Sequence, residues 1–225
     1  MMDQVDEWLK VTPTLDCDNE GIKERAQSIT KGQGKAVDKA KSLFYFVRDE
    51  TKFFPYLPLD VLESYQASRI LKAGGGMCIQ KAVLLATLAR AVGIPARVHF
   101  VDIRNYRAPD NVKETLGTNL FPYHGFDELH IDGRWVKVTP TFELKVCQEN
   151  RLLPVEFDGK HDAMLPPRDL DGNPHIEYIQ DHGFYENVPM DEIYNAWARA
   201  YSTGSRERLR QFIEAQEIPR IVQGT

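Results

Sequence analysis

The sequence is poor in cysteine and carries no large surplus of either charge. Its 225 residues include three cysteines, and 28 basic residues stand against 33 acidic ones, which gives a net charge of −5. A mildly acidic chain has no electrostatic reason to bind nucleic acid or an anionic membrane, so we expect neither partner. The cysteines are far apart and form no CxxC pair, which argues against a zinc knuckle and against a disulfide framework.

Long apolar runs are missing as well. No segment approaches the roughly 20 apolar residues that cross a bilayer, and the acidic opening MMDQVDEWLKVTP lacks the basic and apolar regions of a signal peptide. We therefore expect a cytoplasmic protein whose cysteines are thiols. Repeats and low-complexity segments are absent, while the hydrophobic fraction of 42% is sufficient for a folded core.

Hydrophobic periodicity predicts a mixed α+β fold. The segment 79–92 has apolar residues on nearly every face, which is typical of a helix in the middle of a domain. The segment 53–58 contains two prolines and is expected to be extended, and 104–122 is expected to be a long polar connection with a short helix near 112–116. The other predicted elements are helices over 35–50, 64–72, 189–201 and 205–216 and a strand over 97–103, with polar or loop-rich segments at 20–34 and beyond residue 141.

The pair Asp132-Gly133 lies between two alternating runs and predicts a two-residue hairpin. Such a turn pairs residues whose numbers sum to 265. His124 opens the first strand, and because residues of one parity share a face, Thr139 and Thr141 on the returning chain lie on the face of His124. A residue that orients the His124 imidazole is therefore expected at position 139 or 141.

Cys78 differs from Cys17 and Cys147 because it follows three glycines and opens the apolar helix. Backbone N–H groups at a helix start are unpaired and carry partial positive charge, which stabilises a thiolate. The same groups can donate to the oxyanion of a tetrahedral intermediate, and the glycines are expected to let a substrate carbonyl approach the backbone. Cys78 is thus the candidate nucleophile, and it needs a histidine as its base. The alternative is a glycine-rich turn that happens to precede a buried, inert thiol.

These segments resemble the transglutaminase-like superfamily. The run GGGMCIQKAVLLATLARAVGIPARV is similar to the family's active-site helix and the strand that follows it, and VRDETKFFPY (47–56) is similar to the family's usual lead-in. A second block matches a family histidine at a strand start, then an aromatic residue, an acidic residue and a Gly-Arg-Trp turn, here His124, Phe126, Glu128, Gly133, Arg134 and Trp135. The resemblance covers roughly residues 35–145, and its several separate parts make it specific.

The resemblance implies a papain-like α+β core. In that core a central helix that starts at the catalytic Cys78 packs on an antiparallel sheet that carries His124. We expect one transglutaminase-like domain over 1–225, with the core at about 35–145 and a loop-rich and helical C-terminal extension over 146–225 packed on it.

The third catalytic position departs from the family pattern. The family places an aspartate before a proline, whereas this chain has Thr139 before Pro140. A hydroxyl can hydrogen-bond imidazole, but it cannot stabilise imidazolium by charge. The resemblance therefore assigns Thr139 to the third position of a weakened site. Glu143 and Asp127 are the candidate substitute acids, although Asp127 has the wrong strand parity.

The implied function is cysteine-dependent acyl transfer on a peptide or amide, through a thioester on Cys78 with His124 as the base. We favour hydrolysis, as in a protease, over transfer to an amine, as in a transglutaminase, and we expect a peptide or protein substrate and no cofactor. Two alternatives stay open: a pseudoenzyme that binds peptides or proteins, and a less favoured arylamine N-acetyltransferase-like enzyme. No metal is expected, because the acidic stretch at 158–182 has no recognised ligand spacing. The sequence is silent on the oligomeric state.

Overall fold

The computed structural model describes residues 5–54 and 62–201. Its helices are α1 (Glu20–Ile29), α2 (Ala36–Tyr45), α3 (Ala67–Ala73), α4 (Cys78–Ala91), α5 (Asp110–Leu116), α6 (Leu144–Glu149) and α7 (Met190–Ala200). Its strands are β1 (Lys52–Phe53), β2 (Gly75–Gly76), β3 (Ala96–Asn105), β4 (Leu120–Ile131), β5 (Arg134–Val138) and β6 (Ile176–Tyr185). Two 3-10 helices, Asp6–Leu9 and Leu62–Tyr65, and a π-helical turn, Phe46–Glu50, accompany them.

A four-stranded sheet and a buried central helix form the framework. The strand order is β5-β4-β3-β6, and each pair of neighbours is antiparallel. Helix α4 contacts β3 and β4 and also α1, α2 and α3, and its residues from Ile79 to Arg90 are all buried. This arrangement confirms the predicted fold class, in which a central helix beginning at Cys78 packs on an antiparallel sheet.

The hairpin register is confirmed. Ile131 pairs with Arg134 and Asp127 pairs with Val138, so the numbers of each pair sum to 265. Asp132 and Gly133 both have positive φ, as a tight turn of this length requires. The ladder ends at Val138, and His124 itself pairs with Val101 of β3 on the other side.

Three elements escape the periodicity rules. Helix α1 lies in the segment that the sequence predicts as polar. It shows little apolar periodicity because it buries only Ile22 and Ala26, and it is capped by the Asn19 side chain, which accepts from the Gly21 N–H. Strand β6 lies in the region that the sequence predicts as loop-rich. It is an edge strand with most of its side chains exposed, so it shows no apolar alternation that could predict it. Helix α6 is short, with Cys147 as its buried residue.

The long connection is shorter than predicted. Strand β3 continues to Asn105 and β4 already begins at Leu120, so the predicted polar segment 104–122 contributes to both strands. The short helix expected near 112–116 is present as α5. The predicted helix over 205–216 and all but two residues of the predicted extended segment 53–58 lie outside the described residues.

The C-terminal part packs on the same core as α4. Val155, Phe157 and Trp197 belong to the hydrophobic cluster that surrounds the central helix. The boundaries of a single domain over 1–225 stay a prediction. Among residues 5–54 and 62–201, no helix has both the length and the apolar character that crossing a bilayer requires.

One close contact positions the site. A Cβ built on Gly125 of β4 would lie 3.0 Å from the Ile79 Cα in the first turn of α4, closer than nearly all real Cβ contacts. Glycine therefore lets the strand backbone reach the helix start. Ile79 follows Cys78 and Gly125 follows His124, so this contact brings the two candidate catalytic residues to one place.

Candidate active site

Cys78 is the first residue of α4, where backbone N–H groups lack helical partners. The first of the helical bonds here is from the Lys81 N–H to the Met77 carbonyl, at 2.9 Å. The Gln80 side chain folds back, and its Oε1 accepts from the Met77 N–H at 3.0 Å. The N–H groups of Cys78 and Ile79 therefore stay available near the sulfur of Cys78, a residue that is half-buried.

Burial outweighs the helix start in setting the state of the thiol. Burial raises the pKa of Cys78 above its ordinary value, and the backbone N–H groups of Gly125, Ile79 and Cys78 oppose that rise without cancelling it. The helix start thus acts in the predicted direction, but the expected thiolate does not follow from it. At neutral pH the resting sulfur is a thiol.

The glycines before Cys78 have a different role from the predicted one. A Cβ on Gly75 would lie 2.2 Å from the Lys52 carbonyl oxygen, and a Cβ on Gly76 would lie 2.6 Å from the Gln80 Cβ. Both glycines are buried, and the space beside them is filled by β1 and by the Gln80 side chain. Gly75 and Gly76 therefore permit close packing within the protein in place of the expected room for a substrate carbonyl, whereas nothing lies within 4 Å of a Cβ built on Gly74.

An irregularity in β4 sets the orientation of the His124 side chain. The register of β4 against β3 shifts between Val101 and Ile103, and Tyr123, directly before the histidine, has a φ of 56°, which is uncommon for a residue with a side chain. The Asp102 side chain accepts from the Tyr123 N–H at 3.0 Å, and Trp197 of α7 donates to the Pro122 carbonyl at 3.0 Å. The surrounding structure thus holds the strand in the conformation that presents His124.

His124 is buried and has a threonine beside it. Thr139 Oγ1 lies 3.5 Å from His124 Nε2, at the outer limit of a hydrogen bond, and 2.9 Å from Thr141 Oγ1. The predicted proximity of position 139 to the histidine is confirmed. Burial lowers the pKa of His124 to about 4. The ring is therefore neutral at physiological pH.

Neither candidate acid acts on His124. Asp127 lies on the opposite face of β4; burial raises its pKa well above its usual range, and the charge of Arg90 in α4 offsets only part of that rise. Glu143 acts instead on Lys81: burial lowers the Lys81 pKa to about 8, and the Glu143 charge limits the drop. Among the described residues, no carboxylate contributes to the pKa of His124.

Cys78 and His124 line one cavity of about 230 Å³. Its walls come from β1, the end of β3, α5 with the residues before it, β4 and the chain through α6. Apart from Cys78, His124 and Thr141, the sequence does not reveal the wall residues, because they belong to segments that meet only in the folded chain. The lining comprises Phe53, Cys78, Ile103, Asn105, Arg107, Ala108, Pro109, Val112, Phe121, His124, Thr141, Phe142, Val146, Asn150 and Leu152.

Lys81, next to the active site in α4, is not among the candidate residues predicted from the sequence. It is fully buried one turn after Cys78, and its ammonium donates to the carbonyl oxygens of Arg48 at 3.0 Å and Thr51 at 2.8 Å. These bonds fasten the first turn of α4 to the chain around the π-helical turn. The signal in the sequence is a lysine within a mostly apolar helix, since a buried ammonium needs such partners.

The acidic stretch at 158–182 forms local pairs. Asp158 accepts from the His161 ring at 2.7 Å and Asp169 accepts from the Asn173 N–H at 2.9 Å. In the part of the chain that the structure describes, no three His, Cys, Asp or Glu side chains are arranged to hold a metal ion.

The sequence matches the family model of the transglutaminase-like superfamily over residues 23–140, more than half of the chain. The chain belongs to the transglutaminase-like superfamily. Membership confirms the resemblance, and the match includes the helix of Cys78, the strand of His124 and the Thr139-Pro140 pair. In general terms it supports cysteine-dependent chemistry of the protease and acyltransferase kind.

Two solved structures match this chain in part. A protein from Cytophaga hutchinsonii, described as a "putative cysteine protease", has 14% identity and a TM-score of 0.48, covering 81% of this chain and 55% of that chain. A "putative protease" from Parabacteroides distasonis has 17% identity and a TM-score of 0.39, covering 59% and 24%. The chain thus spans about half and about a quarter of these proteins. No curated protein is significantly similar to it.

Two buried histidines, His124 in β4 and His175 directly before β6, predict a loss of stability in mild acid. Burial lowers the pKa of both His124 and His175 to about 4, below the ordinary value of 6.5. The unfolded chain therefore binds more protons between these values, and stability present above pH 6.5 is lost as the pH falls towards 4, by on the order of 3 kcal/mol for each ring.

Urea unfolding at a series of pH values measures this loss. We expect His124→Gln and His175→Gln each to flatten the dependence of the unfolding free energy on pH between 6.5 and 4. An unchanged slope in both variants would contradict the burial of neutral rings.

Proposed function

We propose that this protein is a cysteine-dependent acyl-transfer enzyme that acts on a peptide or amide and hydrolyses it, with Cys78 as nucleophile and His124 as base. The observation that carries the proposal is that the thiol at the start of α4 and the His124 ring line the same cavity. Membership of the transglutaminase-like superfamily supports it.

The first half of the reaction forms the thioester. The Cys78 sulfur attacks the carbonyl carbon while the thiol proton passes to His124. Because Nε2 faces Thr139, Nδ1 is the ring nitrogen that takes the proton. The N–H groups at the start of α4 donate to the oxyanion. When the intermediate collapses, the C–N bond breaks and the leaving amine takes the proton from His124.

The second half restores the thiol. Water attacks the thioester carbonyl and gives a proton to His124; the C–S bond then breaks, the acid leaves, and the sulfur regains the proton. An amine in place of water would give a new amide, as in a transglutaminase. The enzyme needs no cofactor for either half. A peptide or protein substrate and a cytoplasmic location complete the proposal.

A catalytically weakened binding protein is the second candidate, and one observation favours it. Burial sets the thiol pKa above its ordinary value and the His124 pKa at about 4, and no carboxylate among the described residues raises the His124 pKa again. Proton transfer from the sulfur to the ring is therefore strongly uphill in the resting protein. In such a protein the cavity would bind a peptide without cleaving it.

Alkylation of Cys78 tests the proposal. Iodoacetamide at neutral pH should label Cys78 faster than Cys17 and Cys147, which are both more deeply buried. Because exposure alone would give that order, the decisive variant is His124→Gln, which should slow Cys78 labelling by about tenfold or more if the ring acts as a base. Mass spectrometry of the digested protein gives the rate at each cysteine.

His130→Gln is the matched control, since His130 lies on the same strand away from the cavity. We expect it to leave the Cys78 labelling rate unchanged. Equal rates in His124→Gln and in the unmodified protein would remove the case for an activated thiol.

Thr139→Asp separates a weakened enzyme from a binding protein. A carboxylate beside Nε2 would stabilise the imidazolium, so the His124 pKa should rise from about 4. NMR titration of the ring measures the pKa, and hydrolysis of a simple ester measures the activity. We expect the rate to rise by about tenfold or more, because loss of the orienting carboxylate from a triad costs about four powers of ten.

Thr139→Asn is the control, because it has nearly the shape of aspartate without its charge. It should leave the His124 pKa and the rate near those of the unmodified protein. A His124 pKa raised by Thr139→Asp with no gain in rate would favour the binding protein.

A further inference from the structure

The cavity beside Cys78 is mostly apolar. Aromatic and aliphatic side chains form its walls, among them Phe53, Ile103, Phe121, Phe142 and Leu152. An apolar cavity is filled favourably by an apolar group and is costly to fill with an unpaired polar one.

The polar side chains in the wall already have partners in the protein. Asn105 Oδ1 accepts from the Arg107 N–H at 2.9 Å, and Asn150 Nδ2 donates to the Val146 carbonyl at 2.9 Å. Thr141 Oγ1 is 2.9 Å from Thr139 Oγ1. Each of these groups therefore has part of its hydrogen-bonding capacity engaged within the protein.

The one charged side chain in the wall is also paired. Arg107 Nε lies 3.3 Å from the Asp169 carboxylate, whose side chain is fully buried. The negative charge of the Asp169 carboxylate offsets the positive charge of the guanidinium, and the carboxylate is held beside it because it is buried. Arg107 is thus the one charged residue among those that line the cavity, and the buried Asp169 carboxylate offsets its charge.

The volume suits a single side chain. Sites for whole drug-sized ligands hold roughly 300–1,000 Å³, and an apolar cavity of about 150 Å³ binds benzene. A cavity of about 230 Å³ therefore has room for one aromatic or branched aliphatic group.

We propose that the cavity receives an apolar side chain of the acyl donor, so that the protein acts on carbonyl groups that carry an aromatic or large aliphatic substituent. This specificity rests on the proposed function, because it places the attacked carbonyl at Cys78. A donor whose corresponding group carries a charge is disfavoured, since burial among apolar side chains costs that group its hydration and Arg107 is already paired with Asp169.

Alkylating probes of graded shape test the specificity without requiring turnover. The probes are iodoacetamide, N-hexyliodoacetamide and an analogue of similar length that ends in a carboxylate. Each rate at Cys78 is divided by the rate of the same probe with free glutathione, which removes intrinsic reactivity. We expect the hexyl probe to exceed iodoacetamide by about fourfold for each methylene that enters the cavity, and the carboxylate probe to lose that advantage.

Two variants narrow the cavity from different walls. Val112 on α5 and Val146 on α6 both line it. Val112→Trp and Val146→Trp should therefore each lower the ratio of the hexyl rate to the iodoacetamide rate towards one. Two positions are used because either bulky residue alone can disturb folding, which thermal unfolding detects. Lys145→Trp is the control: its side chain is 82% exposed on α6 and is not part of the cavity wall, so the preference should persist.

The outcomes separate the two proposals. The apolar specificity would be overturned if Cys78 is labelled without a preference for the hexyl probe, or with a preference for the carboxylate probe. Neither result would contradict the role of Cys78 as nucleophile. A preference that survives in folded Val112→Trp and Val146→Trp would also overturn the apolar specificity. Failure of every probe to label Cys78 would overturn the proposed function and the specificity with it.

Discussion

The site depends on the contact between the first turn of α4 and the backbone of β4 at Gly125. The Ile79 Cα lies where any side chain at position 125 would begin to press against it. The contact joins two of the most constrained elements of the fold, a helix buried along nearly its whole length and a strand paired on both sides. Because Cys78 and His124 are the chain neighbours of the two touching residues, packing of the core fixes where thiol and imidazole lie.

The same packing sets the chemistry of the pair. A dry site strengthens electrostatic interactions with a transition state, but it also penalises every resting charge. Here burial raises the thiol pKa and lowers the imidazole pKa to about 4, so both groups rest neutral. An aspartate at position 139 would offset this penalty at the ring, whereas Thr139 offers an oxygen at 3.5 Å and no charge. The activity of the protein therefore depends chiefly on the side chain at position 139.

Much of the fold follows from the sequence because the features concerned are local. The apolar run after Cys78 predicts α4, and the Asp132-Gly133 turn predicts the register that brings Thr139 to the face of His124. Strand β6 could not be predicted in this way, since an exposed edge strand is defined by its pairing with β3 rather than by its own pattern.

The site is less predictable than the fold. Its nucleophile and base are marked by their settings in the chain, but the cavity walls come together from five separate segments. The pKa values depend on burial, which no local pattern reports: the helix start indicates a thiolate, while the folded environment gives a thiol. The role of Gly75 and Gly76 likewise depends on where Lys52 and Gln80 lie in the folded chain.

Detection of an acyl-enzyme shows whether Cys78 is the nucleophile. The protein is mixed with an activated ester such as p-nitrophenyl hexanoate, quenched in acid, digested and analysed by mass spectrometry. If Cys78 is the nucleophile, we expect one acyl group on the peptide that contains Cys78. The group should be lost on longer incubation as water completes the reaction, and it should be much reduced in His124→Gln. An acyl group on Cys17 or Cys147 instead, or none on Cys78 in the folded protein while the unfolded protein is labelled, would contradict this role of Cys78.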